Sequence, residues 1–153
     1  MKIVLVSAGA KVPTRAENGA AGYDLYVPKD VTVSTGRNLI PLDIQIELNP
    51  GTEGFIRPRS GFSLNGIEGF PTGGSKEPQR YDADVLPGTI DESYRGIVGV
   101  IIKSIESKPF IIKAGTRIAQ MVISSYCNDV FEITEQLSIT ERGEQGFGHT
   151  GTV

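Results

Sequence analysis

Tryptophan is absent from this 153-residue chain, cysteine and histidine occur once each, and methionine occurs twice. With Cys127 as the only thiol, no disulfide can form within the chain, and a reducing compartment fits. Cys127 reads first as a packed thiol. Cys–His chemistry with the distant His149 stays open as the alternative. Long apolar runs are missing too. The N-terminal run Ile3 to Val6 is too short for a signal-peptide core, and nothing approaches transmembrane length. A soluble, cytoplasmic protein is expected, with no membrane partner. Charge of one sign is also lacking. Fifteen basic and 18 acidic residues give a net charge of −3 with no block of either sign. That argues against a nucleic-acid polymer as partner. A phosphorylated small molecule remains open, because local arginines, backbone N–H groups and a metal can hold one against a negative background.

What is present is glycine (19), proline (9) and short β-branched runs between them. The runs are Ile3–Val6, Val31–Val33, Leu39–Leu48, Gly54–Ile56, Ile97–Ile102, Phe110–Ile112, Ile118–Ile123 and Val130–Ile133. Asp43 to Leu48 alternates polar and apolar, as a half-buried strand does. No window shows an amphipathic helix longer than two turns. Ser60 to Leu64 could open a short one with Ser60 as N-cap. Many short strands with frequent turns predict one all-β domain, a barrel or a jelly-roll-like sandwich.

Three stretches carry the chemistry. Pro87 to Lys103 reads P-G-T-I-D-E-S-Y-R-G-I-V-G-V-I-I-K, a turn leading into Asp91 and Tyr94 and then a run expected as a buried strand. An acid and an aromatic held by a turn against a strand suit a rigid catalytic site. Read alone, the stretch is better taken as a hairpin with an exposed acid and a half-buried Tyr. Glu68 to Asp84 is polar, rich in Gly and Pro, and expected as a long loop. It fails as a phosphate-binding P-loop, because Ser75-Lys76 inverts the required order and Pro78 opposes the following helix. Glu141 to Val153 holds Gly146-Phe147-Gly148-His149-Thr150-Gly151, which matches G-x-G-x-x-G, but the sequence ends where a dinucleotide fold needs a helix. It remains a tail able to clamp an anionic ligand, or a frayed end.

Five segments stand in a fixed order: Ala21-Gly22-Tyr23-Asp24-Leu25, Pro58-Arg59-Ser60-Gly61, Gly88 to Gly96 (G-T-I-D-E-S-Y-R-G), Gly115 to Met121 (G-T-R-I-A-Q-M), and Arg142 to Gly151 (R-G-E-Q-G-F-G-H-T-G). In this the chain closely resembles the trimeric dUTPases, the deoxyuridine 5′-triphosphate nucleotidohydrolases. The resemblance spans nearly the whole sequence. It implies a distorted jelly-roll β-barrel over residues 1–140, assembled as a homotrimer, with residues 141–153 as a flexible C-terminal arm closing the active site. The implied reaction is dUTP plus water giving dUMP plus pyrophosphate with Mg²⁺, serving nucleotide-pool sanitation and dTMP supply.

By the same resemblance, Asp91 is the general base that activates water for in-line attack on the α-phosphorus. Tyr94 packs against deoxyribose and excludes a 2′-OH. Gly88, Thr89, Ile90 and Gly99 belong to the hairpin whose backbone reads uracil. Arg59, Ser60 and Gly61 from a neighbouring subunit, with Gln120, hold phosphate at a short-helix N-terminus. Asp24 holds waters of the Mg²⁺ shell. Arg142 meets the γ-phosphate, Phe147 covers uracil, and Gly148 and Thr150 donate to phosphate.

Three features depart from the family pattern. Val85 stands where many members have an Asn that helps read uracil, so base recognition rests more on backbone or on the long 68–84 loop. The 68–84 segment is an insertion, with a protein partner as one reading of it. His149 replaces a common Ser and is read as an exposed arm residue. Two alternatives stay beside the hydrolase: a dCTP deaminase-like relative, and a regulatory or protein-binding module acting through 68–84.

Overall fold

The computed structural model describes residues 1–74 and 77–144. Among the described residues the chain forms β1 (Lys2–Leu5), β2 (Gly22–Tyr26), β3 (Val31–Val33), β4 (Gly36–Pro41), β5 (Ile44–Glu47), β6 (Thr52–Arg57), α1 (Ser60–Asn65), β7 (Ile67–Pro71), β8 (Gln79–Tyr81), β9 (Ala83–Leu86), β10 (Gly88–Ile90), β11 (Gly99–Ser104), β12 (Phe110–Ile112) and β13 (Arg117–Ser125). They build four sheets in the orders β1-β5, β10-β6-β13-β2, β4-β11-β9 and β3-β12-β7-β8. The result is the expected all-β, jelly-roll-type barrel. Its interior holds Leu25, Val33, Ile44, Ile67, Val100 and Phe110, each no more than 1% exposed. No helix among the described residues is long and apolar enough to cross a membrane.

The Leu39–Leu48 run is two strands rather than one. Asp43 sits between β4 and β5 at φ 55°, a left-handed conformation that breaks the extended chain. The alternation from Asp43 onward holds: Ile44 and Ile46 are buried, while Gln45 and Glu47 are half-buried. Ile97–Ile102 is not a strand buried on both faces. In β11, Val100 and Ile102 enter the core, whereas Ile101 is 37% exposed on the opposite face.

Glu68 to Asp84 is largely a hairpin and not a loop. Ile67, Glu68 and Gly69 pair with Tyr81, Arg80 and Gln79. The polar β8 is held because Tyr81 stacks on Phe110, with ring centroids 4.1 Å apart and planes 4° from parallel. A Cβ at Gly69 would come within 2.7 Å of the Phe110 ring, so glycine is what lets β7 approach it. Of the described residues here, only the tip (72–74 and 77–78) and Asp82 between β8 and β9 lie outside the strands.

Ser60 is the first helical residue and not the N-cap. Arg59 holds the cap position with extended backbone and no side-chain cap hydrogen bond. Cys127 is exposed and so is not a packed thiol. Val130–Ile133 forms no strand. Its composition suits one, but no strand of the same chain lies alongside, and Val130, Phe131 and Ile133 are 92%, 102% and 100% exposed.

Candidate active site

Two concave regions collect most of the expected site residues. The first, about 360 Å³, is floored by β4, β11 and β9. Register places Leu39, Ile101 and Leu86 in one row across these three strands. All three side chains point away from the core, which explains why three apolar residues are spent on a solvent-facing surface. Gly88, Thr89 and Ile90 form the wall, with β10 pairing to β6. Gly99 borders the floor, and a Cβ there would come within 2.7 Å of Leu39 Cδ1.

Asp91 and Tyr94 stand at the rim of this pocket. A turn closed by Tyr94 N–H donating to Asp91 O at 3.0 Å holds them together. The Tyr94 hydroxyl donates to Ile97 O at 3.0 Å, and its ring lies over Gly96, where any Cβ would strike the hydroxyl. One face of the ring is therefore fixed while the side chain stays 42% exposed. Asp91 is exposed, and no donor among the described residues meets its carboxylate. An apolar slot edged by backbone amides, an aromatic ring and one free carboxylate can take a flat polar ring, a sugar and an activated water.

Val85 is 5% exposed and pairs with Ile102, so its position faces the core and could offer nothing polar to the slot. Its neighbour Leu86 is the one that lines it. The backbone of residues 88–90 is left as the polar edge on that wall of the slot.

The second region is polar and gathers Asp24, Arg59, Ser60, Gly61 and Gln120. β2, β13 and β6 lie side by side, with Gln120 opposite Asp24 on one side and Arg57 on the other. Gln120 Nε2 donates to Pro58 O at 2.9 Å, and its carbonyl end lies against Gly22, where a Cβ would collide with it. Phe62 and Ser63 N–H both donate to Arg59 O, so the earlier N–H groups of the helix, at Ser60 and Gly61, lack a helical acceptor. These donors and the arginine side chains suit phosphate oxygens.

Asp24, expected beside magnesium-shell water, sits within an ion-pair cluster. It is 6% exposed, and its two oxygens accept from Arg59 Nε at 2.9 Å and Arg117 Nη1 at 3.1 Å. Two guanidiniums bracketing one buried carboxylate position Arg59. Among the described residues no group of three or more His, Cys, Asp or Glu could hold a metal ion.

The two regions share no lining residue. Arg142 is exposed and lines neither. Phe147, Gly148, His149 and Thr150 lie outside the described residues. Sequence reasoning missed Arg57, Arg117 and the Leu39–Ile101–Leu86 floor. Arg117 stood inside a quoted motif. The floor needs strand register, which no single stretch displays.

The dUTPase family profile matches residues 8–77 and 73–151. The chain is 44% identical over 144 residues to the deoxyuridine 5′-triphosphate nucleotidohydrolase of Caldanaerobacter subterraneus subsp. tengcongensis, covering 92% of this chain and 88% of that one. It is 42% identical to the Candida albicans protein of the same name, over 99% of this chain and 87% of that one. Among solved structures, a Staphylococcus bacteriophage 80alpha dUTPase with dUpNHpp superposes with a TM-score of 0.82 at 24% identity, covering 98% and 97% of the two chains. That likeness supports the fold, and the identities over nearly full length decide the family: the chain belongs to the dUTPases.

Proposed function

We propose that this chain hydrolyses dUTP to dUMP and pyrophosphate, with Asp91 as the general base. The observation that carries the reading is the unpartnered Asp91 carboxylate at the rim of an apolar slot walled by residues 88–90 and Tyr94. Asp91 takes a proton from a water molecule whose oxygen attacks the α-phosphorus. A new P–O bond forms, the bond from the α-phosphorus to its bridging oxygen breaks, and pyrophosphate leaves. Backbone groups of 88–90 pair with the uracil edge. Tyr94 covers deoxyribose where a 2′-OH would project. Arg59, Ser60, Gly61 and Gln120 hold the phosphates. Magnesium, when bound with the triphosphate, would supply charge neutralisation, and the chain's own step is proton removal at Asp91.

Two features support the homotrimer reading. The base slot and the phosphate pocket are separate within one chain. The segment after β13 also leaves Phe131, Ile133 and Ile139 100–102% exposed. Side chains of this size need cover, and a neighbouring copy supplies it while bringing one copy's slot to another's phosphate pocket. Residues 141–153, Arg142 among them, form the arm over bound substrate. A deaminase-like reading is disfavoured by the slot, whose walls are apolar and whose only carboxylate is at the rim. A partner-binding reading keeps to the 68–84 segment.

The test is pyrophosphate release with Mg²⁺ from dUTP, UTP, dTTP and dCTP, with Asp91→Asn as control. Turnover of dUTP alone, lowered by about 10²-fold or more in the variant, is expected. Ammonia release without pyrophosphate would select the deaminase. Near-normal turnover by Asp91→Asn would remove it as the base.

A further inference from the structure

Arg57 stands in the same pocket as Arg59 and has no role in the reading above. Along β6 the side chains alternate. Ile56 enters the core at 2% exposure, so Phe55 and Arg57 take the other face. Arg57 pairs with Gln120, and Gln120 pairs with Asp24. Residues directly opposite on neighbouring strands project to the same side. Asp24, Gln120 and Arg57 therefore form one row across three strands, with the phosphate-binding candidates of β13 at its centre.

The row is not uniform in charge. Asp24 is shared by Arg59 and Arg117. Arg57 meets no carboxylate among the described residues, and Asp24 is the pocket's only acid. The Arg57 guanidinium lies 4.8 Å over the Phe55 ring. Stacking holds the plane of a guanidinium while leaving its in-plane N–H donors for an acceptor. An exposed, pre-stacked guanidinium beside Gln120, in a pocket already rich in donors, is built for an anion with several oxygens.

We propose that Arg57 is a second phosphate-binding arginine of this site, taking an oxygen of the pyrophosphoryl part of the substrate. Arg59 is anchored to Asp24 and works as a fixed donor. Arg57 brings charge that no carboxylate among the described residues pairs with. It thereby favours the triphosphate over the monophosphate and steadies the pyrophosphate as it leaves. This rests on the hydrolase reading for its substrate, though the binding of inorganic pyrophosphate does not depend on that reading.

The experiment compares the parent chain with Arg57→Ala and Arg57→Lys. Calorimetry measures the binding of inorganic pyrophosphate and of dUMP in magnesium buffer. Kinetics measure KM and kcat for dUTP at low and high salt. Arg57→Ala is expected to weaken pyrophosphate binding and raise KM about tenfold. The salt dependence of KM should shrink as one charge contact is lost, with dUMP affinity and melting temperature unchanged. Arg57→Lys should recover part of the loss, because charge returns without the stacked fork. Unchanged pyrophosphate affinity in Arg57→Ala overturns the proposal. So does an equal loss of dUMP binding or a lowered melting temperature, which would make Arg57 a support of the sheet. If the parent turns over no dUTP, the hydrolase reading fails, and the pyrophosphate measurement alone decides on Arg57.

Discussion

Glu92 Oε2 accepts the Tyr126 hydroxyl at 2.7 Å, tying the turn that carries Asp91 to the end of β13. The same oxygen accepts Gly51 N–H at 2.7 Å. Three separate parts of the chain meet on one carboxylate, next to the proposed base and at the point where the chain leaves the barrel toward residue 140.

This clamp has a pH window. The Tyr126 hydrogen bond, with that of Gly51, holds Glu92 below its ordinary 4.5. Glu92 in turn pushes the Tyr126 phenol above its ordinary 10.0. The lowered carboxylate contributes stability above pH 4.5 that is lost as pH falls through its folded value. The raised phenol contributes stability below pH 10.0 that is lost as pH rises through its own. Melting of the parent and of Tyr126→Phe should therefore differ by a constant gap from about pH 5 to about pH 9 and converge outside it. A gap that ignores pH would remove the clamp as its cause.

Asp24→Asn separates anchoring of Arg59 from metal binding. Removing one partner of a buried ion pair costs about 3–5 kcal/mol. Here both arginines reach solvent, at 29% and 48% side-chain exposure, so about 1–2 kcal/mol is expected, a fall in Tm of roughly 2–8 °C. KM for dUTP should rise, while the magnesium concentration giving half-maximal rate stays the same. A large shift in that concentration would restore Asp24 as a holder of magnesium-bound water.

Gly99→Ala should narrow the base slot at little cost to folding. The new methyl would press on Leu39 Cδ1, the free end of a side chain that is 69% exposed. Leu39 can swing into the slot. A raised KM with Tm lowered by no more than a few degrees is expected from kinetics and calorimetry. An unchanged KM would mean that the slot does not take the base.

Two truncations divide the C-terminal region. Removing residues 141–153 should abolish turnover and leave the trimer intact in light scattering. Removing residues 127–153 should also dissociate it, because Phe131, Ile133 and Ile139 go with it. A monomer after the shorter truncation would make the arm part of the scaffold.

Some of this was legible in one dimension. Val31–Val33 and Phe110–Ile112 are β3 and β12 to the residue, because dense β-branched or aromatic runs bounded by turns have few other uses. β8 was not legible: Gln79-Arg80-Tyr81 is polar, and it is a strand because Tyr81 finds Phe110, a contact between distant parts of the chain. Val130–Ile133 failed the opposite way, having strand composition with no strand beside it. At the site, motif order pointed to Asp91 and Arg59. Arg57 stayed hidden because its face is defined only once β6 pairs with β13.

If the proposed homotrimer joins one copy's slot to another's phosphate pocket, activity in a mixed population of chains is not the sum of its members. A copy with Asp91→Asn keeps a sound phosphate half, and a copy with Arg59→Ala keeps a sound base half. Each alone would be impaired, yet coassembled they would bring together some intact pairs of halves. In that arrangement a defective copy would also spoil sites on its intact neighbours, so damage would spread beyond the altered chain.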